Sequence, residues 1–177
     1  MNNQIKILLS ALLVSISTAA TALEVGDQAP DFLLEATDGK SYSLSQFKDK
    51  QAVVIAWYPK AYTSGCTIEC KSLAQNGHLL KRLEVAYFMA SVDSLEDNKG
   101  FAKETEADFP LLSDPEKSVA KAYGVLSPRG YAVRHTFYIN AQGRIVKIDR
   151  NVRPSTSAED MAKNLEALSI PKKETNS

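Results

Sequence analysis

Six consecutive apolar residues, Ala52-Val53-Val54-Ile55-Ala56-Trp57, constrain this chain more than any other feature. The run is too short for an ordinary helix, and without alternation it does not suit a strand with one wet face. It fits a strand buried on both sides, so the sheet that holds it must be covered on both faces. A second such run, Val85 to Val92, follows a segment from Cys66 to Leu83 in which Ile68, Leu73, Leu79, Leu80 and Leu83 recur at roughly helical spacing. Two buried strands joined through a helix make a parallel pair with a crossover. Asn76-Gly77 predicts a break within that helix.

The remaining elements follow from turn and cap signals. Asp38-Gly39 separates Phe32-Leu33-Leu34 from Ser41-Tyr42-Ser43, a small N-terminal hairpin. Ser94-Leu95-Glu96-Asp97 has capping-box spacing and opens a helix to about Glu104. Leu111-Leu112 is a short strand, and Glu116 to Tyr123 a helix stopped by Gly124. Thr136 to Ile139 and Arg144 to Asp149 form a hairpin across Ala141-Gln142-Gly143. A last helix runs from about Ser157 to Leu168, with Thr156-x-x-Glu159 as its start signal. The sum is an α/β domain, a mixed sheet with helices on both faces and an N-terminal hairpin extension.

The ends are read separately. Lys6, the apolar run Ile7 to Ile16 and the A-x-A sequence Ala20-Thr21-Ala22 predict a signal peptide over residues 1–22, too short to span a bilayer. One exported domain, 23–171, remains, with a flexible polar tail at 172–177. Lys and Arg total 21, Asp and Glu 21, so no field selects a nucleic acid or an anionic membrane. Two cysteines cannot make a disulfide framework. Walker-type, H-E-x-x-H and G-x-S-x-G sequences do not occur.

The chemistry lies in Trp57-Tyr58-Pro59-Lys60-Ala61-Tyr62-Thr63-Ser64-Gly65-Cys66-Thr67-Ile68-Glu69-Cys70, which leads from the end of a buried strand through a loop into a helix. Ligand sites gather at that end of an open α/β sheet. A cysteine at a helix start meets unpaired N–H groups and the positive end of the helix dipole, both of which favour thiolate. Cys66 is thus a candidate nucleophile. Thr63 can aim a hydroxyl at the same point, and the N–H groups of Gly65 and Cys66 can hold a forming oxyanion. The bland alternatives are an inert buried thiol or a structural disulfide with Cys70. Helical residues four apart keep their Cβ atoms about 5–6 Å apart, whereas a disulfide needs about 3.8 Å. A Cys66–Cys70 bond therefore requires the helix start to unwind, which suits reversible redox better than bracing.

Pro59-x-x-x-Thr63-x-x-Cys66 with Thr67-Ile68-Glu69 resembles the peroxidatic motif of the peroxiredoxins, in particular the peroxiredoxin Q or bacterioferritin comigratory protein subgroup of the AhpC/TSA family. Phe109 to Pro115, Ala122 to Val125 and Arg134 to Ile139 resemble later segments of that subgroup in the same order. The resemblance implies a thioredoxin-like fold and thiol-dependent reduction of hydrogen peroxide or organic hydroperoxides, with no metal, flavin or nucleotide. By it Cys66 attacks the peroxide and becomes a sulfenic acid, Thr63 orients the peroxide, Arg134 stabilises the charged sulfur and the departing oxygen, and Pro59 shields the thiolate. Glu69 matches the motif with a structural or a catalytic role open. Cys70 is the implied resolving cysteine, although the subgroup commonly spaces it five residues on rather than four. The implied partners are a peroxide and a thiol reductant, either a thioredoxin-like protein or a small thiol. A monomer or dimer, periplasmic in a Gram-negative source, completes the expectation.

A different class also fits part of the pattern. C-x-x-x-C with a later strand histidine resembles the Sco copper chaperones, in which Cys66, Cys70 and His135 would hold copper. Against that, Thr67 stands where the Sco pattern has proline, and the bland reading of His135 is an ordinary strand residue. A C-x-x-C oxidoreductase fits less well because of the extra residue. His78 reads as an exposed or helix-packed residue. Trp57, Tyr58, Tyr62, Phe109 and Tyr131 are core or pocket walls, with the choice open.

Overall fold

A computed structural model describes residues 22–173. β3 (Ala52–Trp57) is buried at all six positions. Its pleat sends Ala52, Val54 and Ala56 into one apolar cluster and Val53, Ile55 and Trp57 into another. β4 (Val85–Ser91) lies parallel to β3, Ala52 opposite Val85 and Trp57 opposite Ala90. β6 (His135–Ile139) flanks β3 on its other side, antiparallel, with His135 opposite Trp57. The start of β6 therefore arrives beside the end of β3, which brings Arg134 to the loop that leaves β3.

β1 (Leu33–Ala36) and β2 (Ser41–Ser43) form the N-terminal hairpin, attached antiparallel to β5 (Leu111–Ser113), itself parallel to β4. β7 (Ile145–Asp149) pairs antiparallel with β6, giving the sheet order β2-β1-β5-β4-β3-β6-β7. One face is covered by α1 (Ser64–Asn76), α2 (His78–Lys81), α3 (Leu95–Glu104) and α5 (Ser157–Ala167), through Leu73, Leu80, Phe101 and Leu165. The other is covered by α4 (Ser118–Ala122) and the N-terminal segment, through Val119 and Phe32. The fold is the mixed, doubly covered α/β sheet with a hairpin extension.

Several elements begin for reasons other than those read from sequence. The helix expected over Cys66 to Leu83 starts two residues earlier and divides at Gly77. Gly77 has ordinary helical dihedrals, φ −58° and ψ −21°, so turn chemistry does not explain the break. A Cβ there would lie 2.8 Å from the Leu73 carbonyl oxygen and 2.9 Å from the Tyr87 hydroxyl, a close approach that only glycine permits. α4 starts at Ser118 rather than Glu116, because Lys117 is left-handed at φ 61° and the Asp114 carboxylate accepts the Ala120 N–H at 2.7 Å. α3 has its expected cap, Ser94 Oγ accepting the Asp97 N–H at 3.0 Å. Thr156 does not cap α5; its hydroxyl donates to Asp160 at 2.7 Å. The expected tail is tied down at its start, Lys172 bridging to Leu83 and the Lys173 N–H donating to the Arg82 carbonyl at 2.9 Å. Residues 1–21 of the expected signal and 174–177 of the tail lie outside the described residues.

Candidate active site

Cys66 is the third residue of α1, after Thr63 at the N-cap. The first backbone bond of the helix runs from the Thr67 N–H to the Thr63 carbonyl at 2.9 Å, so the N–H groups of Ser64, Gly65 and Cys66 lie at the open, positive end. The sulfur is fully buried. Arg134 Nη2 donates to it at 3.1 Å, while Nη1 of the same guanidinium is bonded to Glu69 Oε2. Glu69, three residues after Cys66 on the same side of α1, is also fully buried, and Ser157 Oγ at the start of α5 donates to its other oxygen at 3.4 Å. One forked cation thus spans the sulfur and a buried carboxylate.

The other residues singled out in the sequence are placed differently. Thr63 donates its hydroxyl hydrogen to the Lys60 carbonyl at 2.9 Å and caps nothing with its side chain. Pro59 is half-buried at the head of the loop. Cys70 is buried within α1, one turn beyond Cys66, and both cysteines are free. The Cys70 sulfur lies 3.1 Å from the hydroxyl of Thr105. That hydroxyl donates to the Phe101 carbonyl at 2.7 Å, so towards Cys70 it presents a lone pair and accepts the S–H. Burial pushes the Cys70 thiol up to about 11.

The copper trio is not assembled. Alternation along β6 sends Tyr138 into the cluster of Cys66 and Cys70, and Phe137 and Ile139 into the opposite one, which is the side of His135. Arg134 and His135 are sequence neighbours on opposite faces. Burial, together with the Arg150 charge, lowers the His135 pKa against a smaller opposing effect of Asp149. Among the described residues no three His, Cys, Asp or Glu side chains gather as a metal site. His78 is exposed, Trp57, Tyr58 and Phe109 are core, and Tyr62 and Tyr131 are exposed.

Sequence reasoning missed what holds the loop. Tyr62 has φ 64°, unfavourable for a residue with a bulky side chain, and is fixed by its ring edge on Phe101 at 5.5 Å and its hydroxyl on the Asp97 carbonyl at 3.1 Å. Ala61 N–H donates to Asp93 Oδ2 at 2.9 Å. Tyr58 donates to Asn98 Oδ1 at 2.6 Å, and Asn98 Nδ2 donates to Ser113 at 2.8 Å and Ser91 at 3.1 Å, all buried. The available signal was Asn98 itself, a polar residue on the inward side of a helix, where burial requires partners.

A doubly covered sheet with a thiol at the helix start beyond its central strand, and a guanidinium on that sulfur, defines a thioredoxin-fold oxidoreductase that works through cysteine. The family model described as AhpC/TSA family matches residues 25–148. Peroxiredoxin Bcp of Escherichia coli is 35% identical over 130 residues, 70% of this chain and 83% of that protein. The crystal structure of peroxidoxin BcpB from Mycobacterium tuberculosis superposes with a TM-score of 0.76 at 26% identity, covering 82% of this chain and 98% of that one. Peroxiredoxin Q of Xylella fastidiosa, solved as a cysteine-to-serine mutant, shares the fold at 24% identity with a TM-score of 0.77, over 84% of this chain and 99% of that one. The chain belongs to the AhpC/TSA family and is a peroxiredoxin, a thiol-dependent peroxidase.

Proposed function

We propose that Cys66 is the nucleophile that reduces hydrogen peroxide and organic hydroperoxides. The observation that carries this reading is the 3.1 Å bond from Arg134 to the Cys66 sulfur at the open end of α1. The thiolate attacks one peroxide oxygen; the S–O bond forms as the O–O bond breaks, and the departing oxygen leaves as an alkoxide or hydroxide that takes up a proton. Sulfur is oxidised to the sulfenic acid. The guanidinium and the free N–H groups of the first turn face the charge on the leaving oxygen. Thr63, its hydrogen already given to Lys60, offers lone pairs and so accepts the peroxide O–H.

Cys70 then attacks the sulfenic sulfur; an S–S bond forms, the S–O bond breaks, and the hydroxyl leaves as water with the Cys70 proton. An external dithiol reduces the disulfide. Mass spectrometry after one equivalent of peroxide tests both steps. Cys66→Ser should give neither sulfenic acid nor disulfide, and Cys70→Ser should stop at a persistent sulfenic acid. Unchanged dithiol-driven turnover in Cys70→Ser would instead assign resolution to the external thiol.

Export is proposed on Lys6, the apolar run and Ala20-Thr21-Ala22. The mature chain would keep the contacts made from its first residue, where the Leu23 carbonyl accepts from Arg150 at 3.2 Å. Amino-terminal sequencing of the protein from a periplasmic fraction should start at Leu23; a cytoplasmic chain starting at Met1 refutes it.

A further inference from the structure

The mechanism leaves unexplained what Cys70 is bonded to before it reacts. Its partner is Thr105, 1% exposed, the residue that closes α3. The same helix grips the approach to Cys66 at two other points, Asp97 with Phe101 under Tyr62 and Asn98 under Tyr58. α3 therefore holds both ends of the segment that must rearrange when Cys66 and Cys70 meet. Thr105 also lines a surface cavity of about 380 Å³ with Lys71, Gln75 and Glu104, so the end of α3 that holds Cys70 borders an open space.

We propose that Thr105 is a positioning residue for disulfide closure, a latch that keeps the Cys70 thiol docked on α3 and sets how much Cys66 sulfenic acid closes to the disulfide rather than being oxidised further. The inference rests on the reading of Cys70 as the resolving thiol. To attack, Cys70 must leave the Thr105 hydroxyl as α1 unwinds, so the S–H···O bond stabilises only the closed form. Without it the opened form is more populated. The competing fate of the sulfenic acid is a second peroxide, which supplies an oxygen atom, leaves as water or alcohol, and takes sulfur to the sulfinic acid.

Thr105→Val tests this with little disturbance, because the methyl replaces the hydroxyl at similar volume and the Phe101 carbonyl keeps its bond from the Thr105 backbone N–H at 3.0 Å. Thr105→Ser retains the hydroxyl. Stopped-flow fluorescence of Trp57, the only tryptophan, follows the oxidation and closure steps, and intact mass gives the disulfide-to-sulfinic ratio. Disulfide closure in Thr105→Val should be about fivefold faster, with a matching fall in sulfinic acid, while Thr105→Ser follows the wild type. Oxidation of Cys66 by the first peroxide should be unchanged in both. Equal or slower closure in Thr105→Val overturns the latch, as does a serine variant that behaves like valine. A wild-type chain that forms no Cys66–Cys70 disulfide overturns the Cys70 assignment, and the latch with it.

Discussion

Glu69 has one strong partner. With its side chain fully buried, the carboxylate depends on Arg134 and the longer contact to Ser157, and Arg134 divides its fork between that carboxylate and the Cys66 sulfur. Removing the cation therefore has two separable consequences. Arg134→Met should slow the first oxidation on the order of 10²-fold, as expected for loss of a charged donor to a developing oxyanion. It should also destabilise the fold by about 3–5 kcal/mol, since a buried carboxylate is left without its counter-charge. Adding Glu69→Gln should restore most of the stability, read by urea unfolding, and none of the rate, read by stopped flow. Recovery of both would deny the guanidinium a part in the chemistry. His135 gives a pH signature. Its folded pKa lies below the ordinary 6.5, so between those values the unfolded chain binds the additional proton, and stability rises with pH through that window. Stability should fall as pH drops below 6.5, and His135→Gln should flatten that part of the curve in equilibrium unfolding. The family resemblance placed Arg134 with Cys66, and the antiparallel pairing of β6 on β3 is what brings the two together. The resemblance could not show that the Thr63 hydrogen goes to Lys60, since that depends on a loop dihedral rather than on residue type.

At the scale of elements, hydrophobic period decided most of what was readable. β3 and β4 announce themselves because both of their faces are covered, and α3 through the Ser94 cap. Gly77 shows the limit. Asn76-Gly77 marks the right place, but what requires glycine there is the close Leu73 carbonyl together with a neighbour invisible in the local sequence, the Tyr87 hydroxyl on β4. The two explanations predict opposite outcomes for Gly77→Ala. A residue in helical dihedrals with free space would gain about 1 kcal/mol of helix propensity. Here the methyl would meet a backbone carbonyl and a tyrosine hydroxyl, so a loss of about 1–3 kcal/mol is expected. Thermal denaturation against wild type decides the sign. Thr105 was unreadable for a similar reason, its importance coming from Cys70, 35 residues away in the chain; Asn98 signals burial by its place on α3, but its partner Tyr58, 40 residues away, is not legible locally.

For the whole molecule the question is what closing the disulfide does to a fold built with α1 intact. Glu69 lies inside the five-residue ring that a Cys66–Cys70 bond would close, and helical spacing keeps the two Cβ atoms about 1–2 Å too far apart for it. Unwinding that turn takes Glu69 away from Arg134 and from Ser157, so the disturbance reaches the first turn of α5 as well as α1. Closing so short a ring contributes only about 2 kcal/mol through the unfolded chain. The losses are a buried ion pair, about 3–5 kcal/mol when broken, and helix hydrogen bonds at about 1 kcal/mol each. The losses win, so the oxidised protein should melt below the reduced one. Hydrogen exchange should quicken over residues 64–73 and 157–162 while β3 and β4 stay protected. The same difference makes the disulfide easier to reduce, by about 30 mV for every 1.4 kcal/mol, which suits the proposed resolution by Cys70. Calorimetry of the two redox forms tests the argument. An oxidised form that melts at or above the reduced one would mean that α1 accommodates the bond without giving up Glu69.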